Sequence, residues 1–146
     1  MQETEKREKD ICKDMDLIFD GLIKRGVIIE EREIVKGFKI KVKPLTTGEL
    51  ILAEAVYSSK ASDDFLVKVR AASILSKAII SINGNSVEND AFSAEENNQR
   101  RRALYNHLLE LPMIIVTKAY DFYLECVHKQ NNIFEDGQAG EAIENF

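Results

Sequence analysis

A mainly α fold with one small β-hairpin, of the α+β class, is predicted by three features of this 146-residue chain. Helical apolar spacing recurs in about five segments, whereas strict apolar–polar alternation is confined to a stretch near residues 27–43. Seven Gly and two Pro leave few breaks, which favours long helices over a many-turned sandwich. Hydrophobic residues make up 45% and charged residues 31%, so the chain is neither disordered nor a disulfide-stapled miniprotein. At this length roughly two-thirds of the unfolded surface can be buried, enough for a core without metal or disulfides.

The first element spans Glu3 to Arg25. Its apolar residues Ile11, Met15, Ile18 and Leu22 advance in steps of four, three and four, with Phe19 and Ile23 beside them, and share one helical face. Lys24-Arg25 and then Gly26 give a cationic last turn followed by a residue tolerant of positive φ, a helix stop. This charged amphipathic helix, residues 1–26, precedes a hairpin-plus-helical globular domain at 27–130 and an acidic flexible tail at 131–146.

Phe38, Ile40 and Val42 alternate with Lys39, Lys41 and Lys43, the pattern of a half-buried strand. A three-residue loop Val35-Lys36-Gly37, with Gly37 left-handed, would pair Ile34 with Phe38, Glu33 with Lys39 and Glu31 with Lys41. The lysines then read as a solvated strand face, cancelled by neighbouring acids, rather than as a phosphate stripe. Pro44 ends the hairpin. Thr46-Thr47-Gly48-Glu49 is a capping box that opens a short helix to about Tyr57. Ser58 to Ala61 is a linker, and Ser62 caps a helix beginning at Asp63 that carries Phe65, Leu66, Val69, Ala72, Leu75, Ile79 and Ile82. Small residues Ala71, Ala72, Ser73, Ser76 and Ala78 suit close packing there. Asn83-Gly84 is a turn, and Asn85 to Asp90 a surface loop. Ser93-Ala94-Glu95-Glu96 opens a helix that breaks at Leu111-Pro112. The last helix, Pro112 to about Lys129, is apolar around much of its circumference, the mark of a helix central to a core or covered by a partner.

Catalytic patterns are missing from the sequence. No Gly-rich phosphate loop is present, and the two histidines, His107 and His128, lie far apart. His107 and Glu110 at i+3 read as a surface pair rather than half a metal site. Cys12 and Cys126 read as lone, small apolar core residues, not a bridge. Cys126 and His128, two apart on a helix, point about 200° from one another and form no nucleophile–base pair. The consecutive Arg100, Arg101 and Arg102 spread around a helix and read as solvated. The net charge of −5 has the wrong sign for a phosphate-gripping protein. Neither a signal peptide nor a membrane span is read, which makes the cytoplasm the default compartment. The expectation is a non-enzyme with no cofactor, no metal, no small-molecule substrate and no membrane partner.

The run Gly37-Phe38-Lys39-Ile40-Lys41-Val42-Lys43-Pro44-Leu45-Thr46-Thr47-Gly48-Glu49-Leu50 resembles the opening of small tail-assembly proteins of tailed bacteriophages. There a basic strand runs into Pro-Leu-Thr-x-Gly-Glu and then a helix. The order that follows is similar too: a long helix closing in Ser81-Ile82-Asn83-Gly84, a polar loop, then Leu109-Glu110-Leu111-Pro112 and an apolar helix with Tyr120 and Tyr123. The resemblance spans roughly Gly37 to Lys129. It implies a tail assembly chaperone, which holds the tape-measure protein in the host cytoplasm while the tail tube grows. The alternative it implies is a structural baseplate, hub or tail subunit retained in the virion. The N-terminal helix has no counterpart in that pattern, which favours an additional docking function. Apolar helical surface would serve either role, and the candidate partner-binding residues are Ile114, Ile115, Phe122, Tyr123, Phe134, Ile143 and Phe146. A homo-oligomer is compatible with the same surface.

Overall fold

Alternation at Phe38–Val42 produces a strand, but not an isolated hairpin. In the computed structural model, which describes residues 2–55 and 63–135, five helices accompany a four-stranded antiparallel sheet. The expected linker at Ser58, the Ser62 cap and the tail residues Ile143 and Phe146 lie outside the described residues. The elements run α1 (Gln2–Gly26), β1 (Glu30–Val35), β2 (Phe38–Val42), α2 (Thr47–Ala55), α3 (Asp63–Ala78), β3 (Ile79–Ile82), β4 (Asn85–Ser86), α4 (Ala94–Glu110) and α5 (Met113–Glu135). The α+β class holds. Two compact units divide the chain: Ile28–His128, and a terminal unit drawn from the residues up to Val27 and from Lys129 onward.

Within Ile28–His128 the sheet is a meander in the order β1-β2-β3-β4. Glu33 faces Lys39 and Glu31 faces Lys41, as expected, and Gly37 turns at φ 85°. The loop differs. Val35 pairs with Phe38 across a two-residue turn, and a register shift between Glu33 and Val35 absorbs Ile34. The shift keeps the charge pairing of a longer loop while Lys36-Gly37 makes the tight turn. Lys39 also reaches diagonally to Glu31, with Nζ 3.2 Å from Oε1.

The main correction concerns Ile79 to Ile82, read as the end of the third helix. They form β3, paired to β2 through Ile40–Ile82, Lys41–Ser81 and Val42–Ile79. Asn85 and Ser86, read as loop, return as β4. Asn83 takes φ 51° in the turn between them, and its side chain binds the other hairpin. Its Nδ2 donates to the Gly37 carbonyl at 3.0 Å and its Oδ1 accepts from the Lys39 N–H at 2.8 Å.

The core lies where α3, α4 and α5 meet the face carrying Ile40, Val42 and Ile79. Ala71, Ala72, Ser73, Ser76 and Ala78 are all buried, so the small residues of α3 do pack closely. Ser73 Oγ donates to the Ala53 carbonyl at 2.7 Å, satisfying one of the acceptors that the end of α2 leaves open. The Thr46 capping box forms in both directions: Glu49 N–H donates to Thr46 Oγ1 at 3.2 Å, and Thr46 N–H to Glu49 Oε1 at 3.1 Å. At α4, Ser93 Oγ accepts from Glu96 N–H at 3.2 Å.

α5 runs to Glu135, past the expected end near Lys129, and it is not covered all round. One side, Ala119, Phe122, Tyr123 and Cys126, is buried, while Met113, Ile114 and Leu124 are exposed. Arg32 of β1 spans the buried side, its guanidinium 4.5 Å from the Phe122 ring centroid and 2.6 Å from Glu125 Oε2. The hydrogen bond to Glu125 raises the Arg32 pKa further.

Burial pushes the Tyr123 phenol above its ordinary pKa of 10.0, and the Leu45 N–H, donated to Oη at 3.4 Å, opposes that shift more weakly. The folded chain therefore keeps this proton to higher pH than the unfolded chain does. Protons bound in the unfolded state are then fewer, so stability falls as pH rises through about 10. Tyr123→Phe, which cannot ionise, is expected to flatten that alkaline loss in urea melts compared at about pH 8 and about pH 11. Equal losses in the two proteins would show that Tyr123 is not the group responsible.

Candidate functional site

α1 has the composition of a docking helix. Ile11, Met15, Ile18, Phe19 and Ile23 are each more than half exposed, and Leu22 is half-buried. From Ile11 to Leu22 the four-three-four steps extend the stripe over about 17 Å of helix. That spacing is the seam along which a second helix packs in a left-handed supercoil. Charged residues dominate the remaining faces, although Leu17 is exposed away from the stripe, and Asp20 pairs with Lys24 one turn later at 2.9 Å. This hydrogen bond raises the Lys24 pKa. Cys12, expected in a core, is exposed on this helix and free, whereas Cys126 is the buried thiol.

The sequence-predicted partner residues separate into different environments. Ile114 is 60% exposed on the first turn of α5, with Met113 exposed beside it in sequence. Ile115 is half-buried. Phe122 and Tyr123, at 1% and 5% exposure, are core residues and offer nothing to a partner. Their helical period was read correctly, but the sheet of the same chain already occupies that side of α5. Phe134 stands on the last turn of α5 and is partly exposed. Ile51 and Leu52, exposed on α2, were not anticipated. Their neighbourhood is apolar in sequence and gives no signal that two of its members face outward.

The arginine run is also reassigned. Arg100 Nε donates to the Val87 carbonyl, its Nη2 donates to the Ser86 carbonyl at 3.2 Å, and its guanidinium lies 5.0 Å from the Phe92 ring centroid. Arg101 is largely buried. Its Nη1 donates to the Ser76 carbonyl at 2.9 Å and to the Ile79 carbonyl, while Nε meets Glu88 Oε1 at 2.9 Å. Both bind backbone carbonyls, Arg100 while remaining exposed and Arg101 from a largely buried position. Arg100 and Arg102 keep the expected exposure, and Arg101 does not.

Among the described residues no three His, Cys, Asp or Glu side chains stand together as a metal site. His107 Nδ1 and Glu110 Oε2 lie 3.5 Å apart, both largely exposed. No helix of the described residues is long and apolar enough to cross a membrane. No protein-family description, curated protein or solved structure matches this chain.

Proposed function

We propose that the chain is a non-enzymatic morphogenesis protein of a tailed bacteriophage, acting as a tail assembly chaperone in the host cytoplasm. It holds an elongated helical client, the tape-measure or hub protein, along the apolar stripe of α1. The phage assignment is supported by the Gly37–Leu50 run, in which a basic strand leads through Pro44 into the capped start of α2. The docking role rests on one observation: Ile11, Met15, Ile18 and Phe19 are more than half exposed along a coiled-coil seam. A helix is the partner that such spacing fits, because knobs at three and four residues enter holes of the same period.

The test is coprecipitation of a coiled-coil tape-measure fragment with the full chain and with Ile18→Asp. The aspartate is expected to abolish capture while leaving stability within about 0.5 kcal/mol, since Ile18 is exposed. Undiminished capture by Ile18→Asp would refute α1 as the docking face. Mass spectrometry of purified virions is expected to lack the chain. Its stoichiometric presence there would replace the chaperone by a baseplate or tail subunit.

A further inference from the structure

A second surface lies inside the Ile28–His128 unit and owes nothing to α1. A cleft of about 400 Å³ opens between α2, α3 and α4, lined by Lys43, Lys77, Arg101 and Arg102 and by Glu49 and Glu88, with Leu52 and Tyr105 among its other walls. Four cations against two carboxylates is a local reversal on a chain of net charge −5. The excess of two positive charges stands after internal pairing, because Glu88 offsets Arg101 and Glu49 keeps its charge while accepting the Thr46 N–H of its capping box. The side-chain charges of Lys43, Lys77 and Arg102 have no ion-paired partner among the described residues. They come from three places in the chain: the residue after β2, the last turn of α3 and the middle of α4. Lys43 and Lys77 are half-buried, so the fold holds like charges in a confined space where solvent screens them less than on an open face.

We infer that this cleft binds an acidic peptide segment of a partner protein, with carboxylates at intervals and apolar residues between them. A compact phosphate group is a poorer fit. Phosphate sites gather backbone N–H groups at a helix N-terminus together with forked arginines. Here the nearest such terminus, that of α2, already donates Glu49 N–H to Thr46 Oγ1 and keeps the Glu49 carboxylate beside it. Arg101 is committed to carbonyls, which leaves one free fork and two lysine point charges. Separate point charges on three elements match separate carboxylates along an extended chain. Leu52, 62% exposed on the cleft wall, offers apolar contact between them.

The probe is a fluorescein-labelled synthetic peptide rich in Glu and Asp with interspersed Leu, titrated with the full chain and read by polarisation. Binding should weaken steeply with added salt and vanish for the matched Gln/Asn peptide. The combined variant Lys43→Gln, Lys77→Gln, Arg102→Gln is expected to lose roughly thirtyfold in affinity, about threefold per charge, with Lys118→Gln unchanged. A second readout needs no variant: bound peptide should protect Lys43 and Lys77 from acetylation in the wild-type chain, and leave Lys118 reactive. Ile18→Asp should bind the peptide normally, which separates this site from the α1 face. The inference is overturned by equal affinity for the Gln/Asn peptide, by unaltered binding in the triple variant, or by unprotected Lys43 and Lys77. Displacement of the peptide by inorganic phosphate or ATP beyond that caused by chloride of equal ionic strength would also overturn it, and would reassign the cleft to phosphate.

Discussion

Phe122→Ala is expected to lower the free energy of unfolding by about 3–5 kcal/mol, the largest effect of any single substitution considered. Phe122 is the largest fully buried side chain of the described residues. Its removal opens a cavity between α5 and the sheet, and strips the face on which the Arg32 guanidinium rests. The measurement is a urea melt, with a reduced midpoint and little change in slope. Ile114→Ala is the control. It lies eight residues earlier on the same helix, is exposed, and should shift stability by no more than about 0.5 kcal/mol. Similar losses for the two would mean that α5 is not seated on the sheet by its Phe122 side.

Arg101→Met should follow at about 2–4 kcal/mol. The Ser76 carbonyl falls in the last turn of α3, where the helix has no further N–H to offer, and the Ile79 carbonyl begins β3. A single guanidinium from α4 supplies both and pairs with Glu88 as well. Without it, two carbonyls lose their donor and a carboxylate its counter-charge. Arg101→Lys is not expected to restore stability, because an ammonium lacks the planar fork that serves three acceptors at once. Wild-type melting of the lysine variant would show that charge alone, and not the fork, holds the junction.

That junction also explains where sequence reading ended. Local signals were reliable where neighbours along the chain settle the structure. The Phe38–Val42 alternation, the Thr46 and Ser93 caps and the Leu111-Pro112 break all depend on residues within one turn or one strand repeat. The α3–β3 boundary does not. Leu75, Ile79 and Ile82 continue a helical period across it, although isoleucines leading into Asn83-Gly84 also suit a strand that enters a hairpin. What ends α3 at Ala78 is Arg101, more than twenty residues away, together with the ladder to β2. Phe122 and Tyr123 were misplaced as partner contacts for the same reason, since periodicity reports an apolar side without saying what covers it. The α1 stripe was legible because it is local. The basic cleft was not, as Lys43, Lys77 and Arg102 are single cations on unrelated segments until the fold brings them together.

The two outer strands of the meander have a consequence for how copies of this chain can meet. β4 is two residues long, too short to template another strand. β1 carries Glu31, Arg32 and Glu33 in succession, charges that any incoming backbone would have to accommodate. Both margins are thus blunted against edge-to-edge growth. The docking proposed above would then rest on side-chain packing and charge, which can be reversed, and not on backbone ladders, which tend to propagate.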